Sequence, residues 1–159
     1  MKEIEKYIDL IEDKFDCLSI IHPPSNYLFK NNLFPFRPVL LNEDECTGLL
    51  ILDTNSLEIS EFYSPPEGKL VIGVDVNKNG LLLITLTTEE PDTPDCILID
   101  SLKPSEIIEI DCKNIWYEDL GSCLKWGELD SELLVVNDFD ESKTTIVTLD
   151  LQNKKINYP

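Results

Sequence analysis

Ile4, Ile8, Ile11 and Phe15, with Tyr7 beside them, recur every three or four residues, while Lys, Glu and Asp fill the positions between. That spacing predicts an amphipathic helix over residues 2–15, with His22-Pro23-Pro24 barring any continuation. Residues 25–32 (SNYLFKNN) suit a short second helix ahead of the proline-rich LFPFRPV. From residue 48 the pattern changes to short branched apolar runs bounded by turn residues, as in an antiparallel sheet. The runs are GLLILD (48–53), KLVIGVDV (69–76), GLLLITLT (80–87), DCILID (95–100), ELLVVNDF (132–139) and KTTIVTLDL (143–151). In the last of these, Thr145, Val147, Leu149 and Leu151 alternate with Ile146, Thr148 and Asp150, which marks a half-buried strand. Pro65-Pro66 and the Pro91 to Pro94 stretch fall between runs, where they remove no ladder bonds.

Turn chemistry pairs four of these runs. Asn77-Lys78-Asn79-Gly80 lies between Val71–Val76 and Leu81–Leu86, and Asn and Gly tolerate the positive φ that a hairpin turn requires. A second hairpin is expected to turn at Asp138 to Ser142. Asn114 to Trp126 (NIWYEDLGSCLKW) reads as a helix capped by Asn114, with Trp116, Leu120, Cys123 and Leu124 on one face. No internal repeat or low-complexity tract stands out. The expected fold class is therefore α+β: an antiparallel sheet of about six strands, with the N-terminal helix and a helix near 114–126 packed on it. One domain over residues 1–159 is expected, with a helical part (1–42), a mainly sheet part (43–159) and a C-terminal hairpin (132–151).

Composition changes that picture little, because 42% hydrophobic residues suffice for a core. Charge changes it more. Acidic residues outnumber basic ones by 31 to 13, giving a formal net charge of -18. Residues 43–141 hold 24 acids against five lysines, whereas the first 42 residues hold six acids against five bases. Such a field repels nucleic acid and anionic membrane and steers basic partners. It equally keeps a soluble protein from self-association. Five cysteines without a CxxC pair argue for reduced thiols rather than a disulfide framework. The charged N-terminus and the absence of any apolar run of about 18 residues lead to a cytoplasmic expectation.

Candidate chemistry is sparse. Asp75-x-Asn77-x-Asn79-Gly80 begins like a calcium loop, but the twelfth position, where a bidentate Glu belongs, is Leu86. Asp75, Asn77 and Asn79 are thus weak metal candidates, and the hairpin turn is the plainer reading. His22, the single histidine, sits beside two prolines with no nucleophile near in sequence. Pairs such as Glu89-Glu90 or Glu118-Asp119 mean little among so many carboxylates. Neither GxxxxGK nor GxGxxG occurs, and basic patches with interleaved aromatics are absent. A non-catalytic protein-binding protein without a cofactor remains.

The helix, the segment His22-Pro23-Pro24-Ser25-Asn26-Tyr27-Leu28-Phe29, and LVIGVDVNKNGLLLITL occur in an order that resembles the SUKH superfamily. CILID and the Trp116 to Trp126 stretch follow in that order, so the resemblance covers residues 1–127. It departs at Asn31-Asn32-Leu33, where those proteins often carry Asn-Gly-Gly, and in the extra hairpin Leu133 to Leu151. The resemblance implies an α+β fold and a protein-binding role. Many bacterial members look like immunity proteins that neutralise secreted toxins, often nucleases, and fungal relatives look like regulatory scaffolds. An acidic surface suits a basic nuclease site through steering. The expected partner is thus a basic protein, engaged by a monomer or weak dimer, with no nucleic acid and no membrane. Expected contacts are Glu89, Glu90 and Asp92 on the proline loop and Asp138, Asp140 and Glu141 at the second turn, with Tyr63, Trp116 and Tyr117 as possible aromatic anchors. The alternatives are an adaptor or structural protein whose acidity serves solubility, and a carboxylate- or metal-dependent enzyme.

Overall fold

A computed structural model describes residues 2–24, 27–30, 32–40, 46–88, 95–111, 122–129, 131–137 and 144–157. The expected first helix is present as α1 (Lys2–Phe15). Its apolar stripe buries Tyr7 and Ile11, and Lys14 in the last turn faces the negative end of the helix dipole. It ends at Asp16, which takes a left-handed φ of 48° and donates its N–H to Glu12 O at 3.2 Å. That is an αL cap.

All other described elements are strands, in three four-stranded antiparallel sheets, each ordered as the chain runs. Sheet 1 holds β1 (Ser19–Ile21), β2 (Leu33–Val39), β3 (Leu49–Asp53) and β4 (Ile59–Tyr63). Sheet 2 holds β5 (Lys69–Val76), β6 (Leu81–Thr88), β7 (Asp95–Asp100) and β8 (Lys103–Ile110). Sheet 3 holds β9 (Ser122–Trp126), β10 (Glu132–Asn137), β11 (Thr144–Asp150) and β12 (Lys155–Asn157). The sheets stack face to face in sequence order. Period-two alternation supplies both faces of the first two. In sheet 1, Phe34, Phe36 and Leu52 bury against Tyr7 and Ile11 of α1, while Leu49 and Ile51 point the other way. There they meet Val71, Val74, Leu82, Ile84 and Ile97 of sheet 2. The opposite face of sheet 2, with Leu83, Cys96, Leu98 and Ile110, buries against Leu124, Trp126, Leu133, Val147 and Leu149 of sheet 3. The first strands touch, β1 with β5 and β5 with β9, in the manner of propeller blades fanning from an axis.

This overturns the α+β expectation, since among the described residues twelve strands and one helix make a mainly β protein. Two local readings fail with it, and one strand was not foreseen. Residues 27–30 are not helical: Phe29 and Leu33 exchange backbone hydrogen bonds at 2.9 and 3.0 Å around Lys30, whose φ is 51°. LFPFRPV is a strand despite Pro35 and Pro38. Pro35 is paired only with Ile51 of β3 and Pro38 only with Ile20 of β1, so each proline keeps an unpaired flank that needs no N–H. The helix expected over 114–126 is contradicted where the structure describes it, because Ser122–Trp126 pairs with β10 as a strand. The remainder of that stretch lies outside the described residues. The readings of 69–76 and 95–100 match β5 and β7 to the residue, and both hairpins form, Val76↔Leu82 and Val136↔Thr144 being the last pairs before their turns.

A repeat also emerges. The third strand of each sheet ends in an aspartate, Asp53, Asp100 or Asp150, roughly fifty residues apart. Each Oδ1 accepts backbone N–H groups of the following turn: Asn55 and Ser56, Leu102, and Gln152 and Asn153. The same side chain thus makes the same turn three times.

Candidate functional site

The calcium-like segment sits at one end of sheet 2, and its oxygens are occupied. Asn77 Oδ1 accepts the N–H groups of Asn79 and Leu81, both at 2.9 Å, and Gly80 adopts a φ of 81°. A Cβ on Gly80 would lie 2.4 Å from Ser101 Oγ, so the turn is fitted against the neighbouring turn of the same sheet. Asp75 lies below it, 2% exposed, accepting from Val76 N–H through Oδ1 and from Trp126 N–H through Oδ2, each at 2.9 Å. The second bond crosses from sheet 2 to sheet 3. Asp75 and Asn77 therefore hold backbone in place, which is what Asp-x-Asn does in a turn as readily as in a metal loop. Among the described residues no three His, Cys, Asp or Glu side chains converge to hold an ion.

At the opposite end, the outer strands of sheets 1 and 2 splay apart and leave a cleft of about 1090 Å³. Fanned sheets close at their first strands and open at their last, so the gap follows from the stacking. One wall is Tyr63, at the end of β4, with Pro65 and Pro66 after it. The facing wall is Ile107 and Glu109 of β8, and the floor includes Ile97 and the buried Cys96. Asp111 and Lys154 close the far side, held together by Asp111 N–H donating to Lys154 O at 2.9 Å and Ile156 N–H donating to Asp111 O at 3.1 Å.

The electrostatics of the cleft are mixed but lean acidic. Lys69 and Asp95 form an ion pair at its rim and neutralise each other. Half exposed, that pair stabilises the fold by no more than about 1 kcal/mol. Among the described lining residues, Glu109 and Asp111 then stand beside the single further cation Lys154. Burial pushes the Tyr63 phenol above its ordinary value, and the charge on Glu109 pushes it further, so Tyr63 stays a neutral hydrogen-bond donor over the whole physiological range.

The expected contacts Glu89, Glu90, Asp92, Asp138, Asp140 and Glu141 lie outside the described residues, as do Trp116 and Tyr117. Of the described residues that flank 89–94, Thr88 ends β6 and Asp95 starts β7 on the cleft rim. Tyr63, the one of these candidates that the structure describes, lies in the cleft itself. Glu109, Asp111 and Lys154 were missed, because nothing in KPSEIIEID or QNKK distinguishes them from solvated surface. His22 stacks near Phe34 and bonds within its own turn, through Nδ1 and Pro23 O at 2.9 Å. No family model, curated protein or solved structure matches the chain. No helix among the described residues is long and apolar enough to cross a membrane.

Proposed function

We propose that the chain is a non-catalytic binding protein that takes an extended, basic segment of another protein into the cleft between sheets 1 and 2. The cleft carries this reading. Its volume of about 1090 Å³ lies at the upper edge of the roughly 300–1,000 Å³ of small-molecule sites and leaves room for a short extended piece of polypeptide. Tyr63, Pro65 and Pro66 offer an apolar wall on which such a segment lies, and Glu109 and Asp111 meet its Lys or Arg side chains. A chain of net charge -18 steers basic partners over longer range, and the acids at 89, 90, 92, 138, 140 and 141 add to that field. Neutralisation of a basic toxin such as a nuclease is the case the SUKH resemblance implies.

Fluorescence anisotropy with a labelled Lys/Arg-rich peptide, and then with any basic protein captured from host lysate, tests the reading at about 0.02 and 0.15 M salt. E109K/D111K should weaken binding about tenfold at low salt, and reversing the two outlying acidic clusters should slow association with less effect on dissociation. Affinity that ignores both salt and these substitutions would sink it. An adaptor docking through an apolar patch is the second reading. It is favoured by Ile146, 54% exposed on the outer face of sheet 3 opposite Leu134, and it predicts salt-resistant binding.

A further inference from the structure

A second cavity, of about 610 Å³, lies at the other end of sheet 2, where the turns 77–80 and 101–102 meet the segment before β2. Its charge is opposite to that of the molecule. In a chain with 31 acids and 13 bases, its lining contains Lys30 and Lys78 and no carboxylate among the described residues. The carboxylate nearest in sequence, Asp100, caps its own turn by accepting Leu102 N–H. Asn77 adds a directed donor. Its Oδ1 is fixed by two backbone N–H groups, which sets the orientation of the amide, and its Nδ2 is buried with no hydrogen-bond partner. Leaving such a donor unmade is costly, and because Asn77 lines this cavity, an acceptor whose binding displaces the atoms covering Nδ2 would satisfy it.

Two further observations point the same way. Lys30 is held at a φ of 51°, uncommon for a side-chain-bearing residue, with its Nζ 5.4 Å from the ring centre of buried Phe29. Tyr27 and Leu102, 50% and 86% exposed, rim the opening with apolar surface. We infer that this cavity binds a small molecule carrying an oxyanion, a carboxylate or a phosphate, with Lys30 and Lys78 neutralising the charge, Asn77 Nδ2 donating to an oxygen, and Tyr27 and Leu102 covering an apolar body. The net negative charge of the chain does not oppose this at physiological salt, where fields fade within about 8 Å and the two lysines are the near charges. The inference is independent of the acidic cleft, which lies at the other end of the sheet.

The test is titration of the full chain, followed by amide NMR, with inorganic phosphate, phenyl phosphate and benzoate at constant ionic strength. The expected result is saturable shifts of the Asn77 side-chain amide and of the backbone at Lys30, Lys78 to Gly80 and Ser101. Phenyl phosphate should bind more tightly than phosphate because of the apolar rim, and the comparison of phenyl phosphate with benzoate separates the two oxyanions. Lys30 and Lys78 are exposed, so K30Q/K78Q keeps the fold and should weaken binding about tenfold or more. N77D retains an oxygen for the Asn79 and Leu81 N–H groups while replacing the donor by an acceptor, and it should abolish the shifts. Shifts reproduced by sodium chloride alone, binding unchanged in K30Q/K78Q, or no saturable shift with any of the three probes would each overturn the assignment.

Discussion

Asp75 shows how one side chain can link two sheets. It is buried and accepts from Val76 N–H in its own strand and from Trp126 N–H in the neighbouring sheet. D75A removes the acceptors of both bonds, and urea unfolding should show a loss of about 2 kcal/mol. D75N, which keeps one acceptor oxygen, should lose less. Tyr63 gives a pH signature. Its phenol titrates above the ordinary value of 10.0 in the folded chain, so the neutral form is the one the fold favours. Stability tied to it is intact below pH 10 and declines as pH rises through and beyond that point. Absorbance titration should find one late-ionising tyrosine that disappears in Y63F and ionises earlier in E109Q. Asp150 behaves in the opposite sense. The Asn153 side-chain amide, and then the backbone N–H groups of Asn153 and Gln152, hold its carboxyl below the ordinary 3.8. Its contribution is present above that pH and is lost as pH falls through the lowered value, and N153A should return its NMR-detected titration toward normal.

At the scale of elements, the helix depends on the sheet beneath it. A 14-residue helix is marginal alone, and α1 is held by Tyr7 and Ile11 against Phe34, Phe36 and Leu52. I11A should cost about 3 kcal/mol, with hydrogen exchange in α1 accelerating before that in sheet 2. The elements legible in the sequence were those with strong periodicity: Ile4 to Phe15 at helical spacing, and KLVIGVDV and DCILID bounded by turn residues. Strands without such patterns were missed for identifiable reasons. Pro35 and Pro38 disguised β2. In β8, whose pairing shifts register opposite Leu98 to Asp100 of β7, residues 103–107 stand exposed and carry no alternation. The stretch NIWYEDLGSCLKW shows how short apolar runs fit either period. The threefold aspartate was visible in LILD, ILID and VTLD, but its meaning depends on knowing that each closes the third strand of a sheet. The candidate cleft was less legible still, because Tyr63, Glu109, Asp111 and Lys154 come together only through stacking.

For the whole molecule, charge and stacking act separately. The repulsion implied by a net charge of -18 acts across all three sheets and weakens as salt shortens its reach from about 30 Å at 0.01 M to about 8 Å at 0.15 M. The melting temperature should therefore rise with sodium chloride over that range; a flat response would mean that the acids are compensated locally. The stack itself has two unlike faces, one covered by α1 and the other presenting Lys125, Thr148 and Asn157 around the exposed Ile146 on sheet 3. Every sheet pairs only strands adjacent in sequence. Chain emerging from the ribosome through Tyr63 already contains α1, all of sheet 1 and the layer between them, so folding can proceed vectorially. The two hydrophobic faces awaiting later sheets are then each exposed only for the time needed to synthesise nearly fifty residues, roughly 2–10 s, which limits the interval in which the nascent chain can aggregate.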